Sequence, residues 1–397
     1  MKYGLMVVKK TVNIGDDIQS YAAKRFLPRV DYLVDGMHFD DFIPEKEEVV
    51  ATIINGWYIH HTLNWPLSPF LKPLPISMHF SMKDWYWFNT ERPYYLEGLG
   101  IEYFKSIEPI KCRDTHSCEV LKERGVKAEF SGCLTLTLEK FPNIEKQDYI
   151  CAVDVSPEIV QKIKDSTKME VKEINHVFME GYNTLSWEER LARVEESLKT
   201  YQAAKYIITT RLHCALPSTA LGSDVLLITQ KLHDDRFKDF FDILRISTEE
   251  EFLEKENVLD YVEKDINREK LNQIRSGLIN ECETFIKECE NSDEKYENGI
   301  SVNDYKEYVI KKSDHLKNAY AELYDRYDNT RKERNKKDEE IIEKNSEIET
   351  KTKDLNYYKE EFEGCLEKME TYKQELEKIK NSRLWKIRDK IRGNKSN

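Results

Sequence analysis

The sequence predicts an α/β protein of two Rossmann-like domains facing a cleft, followed by a long α-helical coiled-coil extension. Three observations carry this. Short β-prone runs alternate with helix-capable segments down to about residue 290. All eleven prolines lie at or before Pro217, and a long helix tolerates few of them. From Ile341 apolar residues return at every seventh position among charged ones. The expected division is 1–145, 146–290, 291–380 for the helical extension and 381–397 for a basic amphipathic tail.

In the first half, Tyr3–Val8 reads as a buried strand. It runs into Asn13-Ile14-Gly15-Asp16-Asp17, where Gly15 suits a tight turn and the aspartates can cap a helix. A capped helix after the first strand would explain these residues. So would a ligand edge, which would place Asn13, Gly15 and Asp16 at the carboxyl end of the sheet. Ala51–Trp57 is a second strand ending at Asn55-Gly56. His60 and His61 follow, but neighbours on a strand point apart and no carboxylate lies near, so no metal site is indicated. Residues 62–95, with Trp65, Trp85, Trp87 and several prolines, read as a long aromatic connection. Such rings can pack on the domain or stack on a sugar.

Ile110–Cys112 starts another strand, with Arg113 at the turn and Asp114, Thr115 and Ser117 as cap candidates. His116 reads as a turn residue and Cys133 as a buried turn thiol. In the second half, Asp148–Asp154 is a strand, Pro157–Lys164 a helix and Met169–Ile174 a strand. The helix Ser186–Ala204 opens with the Ser186/Glu189 capping-box spacing. Tyr206–Thr209 leads to Arg211-Leu212-His213 and a small-residue helix, and Val225–Ile228 follows. A strand that feeds a helix leaves N–H groups facing an anion. Arg211 adds a planar donor fork, and His213 can carry a proton near neutral pH. The same pattern fits a buried turn with a structural ion pair. Asp234, Asp235 and Arg236 precede an aromatic helix and read as a solvated helix face.

The apolar series Ile341, Ile348, Leu355, Phe362, Met369 and Leu376 is joined three residues on by Tyr358, Cys365, Tyr372 and Ile379. Tyr320 and Tyr327 share its phase. That spacing suits homo-oligomerisation through 320–380, or a single charged helix held by ion pairs along it. Residues 383–395 mix Leu384, Trp385, Ile387 and Ile391 with Lys and Arg, which suits an anionic membrane surface or a partner helix.

The net charge of −12 argues against nucleic-acid binding. Eight scattered cysteines without a CxxC pair argue against a zinc or thioredoxin-like site and for reduced thiols. No signal peptide and no apolar run long enough to span a membrane are found. The expected place is cytoplasmic, with peripheral contact at the inner face of the plasma membrane through the tail.

Arg211-Leu212-His213 with its small-residue helix resembles the C-terminal signature of the polysaccharide pyruvyl transferase family. Asn13-x-Gly15-Asp16-Asp17, Arg113-Asp114 and Cys133-Leu-Thr-Leu-Thr-Leu138 are similar to other family segments. The resemblance covers about residues 1–250. It implies a GT-B-like architecture and transfer of a pyruvyl group from phosphoenolpyruvate to a glycan or lipid-linked sugar, with no cofactor. It also implies that Arg113, Arg211, Leu212, Asn13, Gly15 and Asp16 bind the donor, that Asn55, Gly56 and Arg236 border the cleft, and that His213 is the acid/base. Two readings stand beside it: a GT-B glycosyltransferase using a nucleotide sugar, and a non-catalytic scaffold carried on a coiled coil.

Overall fold

The computed structural model describes all residues except 59–64, 81–95, 179, 231–236, 258, 263–264, 293–295, 297–298 and 382–397. The first half contains β1 (Lys2–Val7), α1 (Ile14–Lys24), β2 (Tyr32–Asp35), β3 (Val50–Tyr58), β4 (Leu71–Phe80), α2 (Gly98–Ser106), β5 (Ile110–Cys112), α3 (Thr115–Lys122) and β6 (Ala128–Phe130). The second contains β7 (Gln147–Val153), α4 (Pro157–Ser166), β8 (Glu170–Ile174), α5 (Trp187–Ala203), β9 (Ala204–Thr209), α6 (Leu212–Ala220), β10 (Asp224–Thr229), β11 (Arg245–Thr248), α7 (Glu249–Glu254) and α8 (Leu259–Val262). Then come α9 (Arg268–Glu290) and α10 (Val302–Asn381).

Among the described residues the strands form two all-parallel sheets, ordered β2-β1-β3-β4-β5-β6 and β11-β10-β9-β7-β8. The two repeat one topology. In each, the first strand sends the chain outward to one neighbour and then back across to the other. The order therefore reverses between β1 and β3 in the first sheet and between β7 and β9 in the second. In open parallel sheets a crevice for ligands opens at the carboxyl ends of the strands flanking such a reversal. The expected two-sheet α/β architecture with a long terminal helix is what the chain adopts.

Local sequence accounts for the boundaries. Asn13, Asp114 and Ser156 cap α1, α3 and α4 through their side chains, and Pro157 occupies the first turn of α4. Ser186 and Glu189 form the full capping box of α5, and Thr248 and Glu251 form one on α7. The segment expected as a connection from residue 62 holds a strand instead, since β4 runs from Leu71 to Phe80 through Pro73 and Pro75. Those prolines lie where β4 pairs with β3 alone; its contact with β5 is at Met78–Cys112. That stretch is an edge, where a missing N–H costs little. Trp65 is buried between Phe39, Tyr58, Tyr103 and Phe104, which makes it core; His60, His61, Trp85 and Trp87 lie outside the described residues.

The two sheets share one hydrophobic core. It takes in Leu5, Ile18, Leu134 and Leu136 with Leu198, Leu216 and Leu227. A buried ion pair crosses between the halves as well. Arg190 on α5 donates to both carboxylate oxygens of Asp17 on α1, and to the carbonyls of Val8 and Lys9. Tyr182 donates to the same carboxylate at 2.5 Å. Burial pushes Asp17 up, and its bonds to Arg190 and Tyr182 offset only part of that. Further along the seam the backbone of Val12–Ile14 bonds to His176 and Phe178.

The chain divides into two units, Met1–Val309 and Ile310–Asn397. The start of α10 packs in the first unit: Val302 and Tyr305 sit on Phe70, and Tyr305 donates to the Asp40 carbonyl at 2.6 Å. No helix among the described residues is long and apolar enough to cross a membrane.

Candidate active site

Both reversals carry the residues singled out from sequence. At the first, Asn13 accepts from Gly15 N at 2.9 Å, which fixes the entry into α1. Gly15 lies against the second half. A Cβ there would come 3.1 Å from His213 Cβ and 3.5 Å from its Nδ1. A side chain there would have to shift His213 by a few tenths of an ångström, so glycine suits this close approach of the two helix starts. Asp16, on the first turn of α1, accepts from the Thr11 hydroxyl at 2.5 Å. Burial raises its pKa to about 6, and Asp17 adds to the rise; Thr11, Arg190 and Arg113 pull the other way. Across the reversal, Asn55 stands at a bulge in β3 between Ile54 and Gly56. Its Nδ2 donates to the Gln19 carbonyl at 3.1 Å, and its buried Oδ1 has no partner among the described residues.

Arg113 leaves the end of β5, held by its N–H to the Met78 carbonyl at 2.8 Å. It is buried, at 2% exposure. Behind it, Asp114 caps α3 through Ser117 N and accepts from buried His79. Burial would raise the Asp114 carboxyl, but His79, Arg113 and the Ser117 N–H outweigh it and hold it low. Thr115 ties the same turn to the second half, donating through both N–H and hydroxyl to Asp239.

At the second reversal Asp154 follows the end of β7, and Arg211 stands two residues past the end of β9. Arg211 occupies the cap position of α6, where its side chain makes no capping bond. Its Nε donates to Asp154 at 2.6 Å, and its side chain is 42% exposed. Asp154 also accepts from His176 N at 3.1 Å. Leu212 packs into the shared core, and His213 follows on the first turn.

One contact joins the halves at this point: Arg113 Nη1 lies 3.2 Å from His213 Nε2. A guanidinium has donors only, so Nε2 is the acceptor and carries no proton in this arrangement. The imidazole hydrogen is then on Nδ1. The carboxyl edges of the two sheets therefore face one another across Asp16, Arg113 and His213.

A family model for polysaccharide pyruvyl transferases matches residues 13–230, from the Asn13 cap through β10. This chain belongs to the polysaccharide pyruvyl transferase family. The match takes in Asp16, Arg113 and His213 and every strand except β1 and β11. No curated protein matches the chain closely. Among solved structures, an uncharacterised protein of Klebsiella pneumoniae is 12% identical, covering 62% of this chain and 93% of its own, with a TM-score of 0.39. The UDP-GlcNAc 2-epimerase of Methanocaldococcus jannaschii is 11% identical over 74% of this chain and 100% of its own, with a TM-score of 0.38. The wall teichoic acid polymerase TagF is 10% identical over 79% and 89%, with a TM-score of 0.33. Likeness this distant carries no ligand across.

Not every residue singled out from sequence joins this cluster. Arg236 lies outside the described residues. His116 stands on the first turn of α3, and Cys133 is a buried thiol 3.2 Å from the Thr135 hydroxyl. Conversely, Asp154, His176 and the His79–Asp114 pair were not singled out. His176 is buried, with Nε2 2.7 Å from the Tyr201 hydroxyl and Nδ1 without a partner among the described residues. Burial lowers its pKa to about 4, so the ring stays neutral. A histidine just after a strand carries no pattern of its own. Asp154 did leave one trace, as the last polar residue of a strand beside the Arg-Leu-His strand.

Proposed function

We propose that this member of the family transfers a pyruvyl group from phosphoenolpyruvate to two hydroxyls of a glycan or lipid-linked sugar, releasing phosphate. The observation that supports it most is the 3.2 Å approach of Arg113 to His213 where the two sheet edges meet. It puts a fixed cation and a proton-carrying group at one point, with a helix start and a second arginine beside them.

In this reading the donor sits between Arg113, Arg211 and the first turn of α6. Its phosphate and carboxylate replace the present partners of the two guanidiniums. Arg113 then releases Nε2, and that nitrogen can take up a proton. His213 delivers the proton to the enol CH₂ carbon, and positive charge grows on the carbon that bears the phosphate. A sugar hydroxyl adds there and gives its proton to Asp16, whose pKa of about 6 suits a base near neutral pH. The C–O bond to phosphate breaks, and the two arginines hold the charge that leaves. A second hydroxyl adds to the same carbon, gives its proton to the now neutral His213 and closes the ketal, and Asp16 gives its proton up to the departing phosphate. The balance is one phosphoenolpyruvate and two hydroxyls in, one ketal and one phosphate out.

Asn13 and Gly15 shape the helix start against His213, and Asn55 and Gly56 border the acceptor side. The helical extension serves to bring copies of the chain together, and residues 383–395 serve to hold them at an anionic membrane surface. Phosphoenolpyruvate labelled in the pyruvyl carbons tests the reading: incubation with cell-surface glycan should move label into the polymer and release phosphate. Label entering from a nucleotide sugar instead would favour the glycosyltransferase alternative. No heat of binding with phosphoenolpyruvate would favour a scaffold.

A further inference from the structure

The long helix α10 carries an apolar seam that no described residue covers. Ile341, Ile348, Leu355, Phe362, Met369 and Leu376 recur every seven residues, with Tyr358, Cys365, Tyr372 and Ile379 each three residues after one of the last four. The large residues of this seam are between 50% and 69% exposed. In heptad terms the first series fills a and the second d. Lys344 and Lys351 occupy the two earlier d positions, so the dry part of the seam runs from Leu355 to Ile379.

The flanking charges decide the occupant. The g positions are Glu340, Glu347, Asp354, Glu361, Lys368 and Glu375, and the e positions include Lys359, Lys373 and Lys380. When two copies run parallel and in register, each g faces the following e of its partner. Asp354 then meets Lys359 and Glu375 meets Lys380, while Lys368 against Lys373 is the one repulsive pair. When two copies run antiparallel, g faces g and e faces e, which sets acid on acid and lysine on lysine except where Lys368 meets an acidic g. The stripe matches itself better in the parallel sense, where two of the three charged g–e pairs attract.

We infer that α10 pairs with a second copy of this chain as a parallel, in-register, two-stranded coiled coil through 341–379. In register, the two Cys365 residues stand opposite each other at a d layer, at a separation a disulfide can bridge. Cys365 is exposed and the seven other cysteines are buried, so it reports orientation cleanly.

The test uses the full chain in a buffer of oxidised glutathione. Two Cys365 thiols lose two hydrogens and form the S–S bond, and one oxidised glutathione becomes two reduced ones. The expected result is a dimer by sedimentation equilibrium and a covalent dimer on a non-reducing gel, absent in Cys365→Ser. Phe362→Glu should leave a folded monomer and no covalent band. Lys359→Glu with Lys380→Glu should weaken the dimer at least tenfold, and adding Asp354→Lys with Glu375→Lys should restore it. A monomer, a trimer or a larger assembly overturns the inference. A dimer that forms no Cys365 bond, or a covalent band that persists in Cys365→Ser, overturns the parallel register.

Discussion

The two sheets share one strand order and one local device, an arginine at a strand end before a helix, yet the two arginines are treated differently. Arg113 is buried at 2% exposure, backed by the Asp114 cap, and reaches over to His213. Arg211 keeps a side chain 42% exposed and rests on Asp154. The same sequence pattern thus yields a fixed group in one half and an accessible one in the other. The difference comes from what packs behind each: a buried His–Asp pair behind Arg113, and the open start of α6 beside Arg211. In the proposed reaction the buried arginine positions the reacting end and the exposed one captures the donor.

The widest break of that comparison is His213→Ala. A positioned proton donor contributes about 10²–10⁴-fold, so turnover should fall by that order while phosphoenolpyruvate still binds; parental turnover would remove His213 from the chemistry. Removing one partner of a buried ion pair costs about 3–5 kcal/mol. Arg190→Ala should therefore lower unfolding free energy by that order, measured by denaturant titration. A loss below 1 kcal/mol, on the order of a surface pair, would show that Asp17 and Arg190 do not weld the halves. Arg113→Lys should reduce kcat more than Arg211→Lys, and Arg211→Lys should mainly raise KM. The reverse split in steady-state kinetics would invert the roles assigned here.

Two pH effects are smaller. His176 has its pKa lowered from 6.5 to about 4. Between those values the unfolded ring takes a proton that the buried ring refuses, so stability should drain away as pH falls through that window. Shifts of this size convert at about 1.4 kcal/mol per unit, so the loss approaches 3 kcal/mol at the acid end; His176→Asn should flatten it in thermal melts at each pH. Asp16 must be ionised to act as the base, so activity should rise as pH climbs through about 6. The Thr11 bond lowers that pKa, so Thr11→Val should move the rise to higher pH. An unmoved profile would release Asp16 from the role of base.

Much of this was legible in the sequence where local chemistry dictates form. The caps at Asp114 and Ser186 and the strand before Arg211 depend on neighbours in the chain, and they lie where expected; the cap expected of Asp16 or Asp17 is Asn13 instead, and Gly15 stands inside the first turn of α1 rather than in a turn ahead of it. β4 was missed because its prolines read as loop residues. They are tolerated because β5 does not pair along that stretch, a fact of tertiary arrangement. Asp17 reads as one more capping acid, and its bond to Arg190 spans 173 residues of sequence. The Arg113–His213 contact joins residues 100 apart. The family likeness suggested those two residues separately, and the meeting of the two carboxyl edges brings them together.

The central claim is that arginines from both halves take hold of one small dianion. Calorimetric titration of phosphoenolpyruvate into the parent chain and into Arg113→Ala, Arg211→Ala and the double variant tests it directly. The account predicts that the parent binds, that each single change weakens binding at least tenfold, and that the double change costs less than the sum because the two act on the same molecule. If either single variant binds as the parent does, or the parent does not bind at all, the account is contradicted.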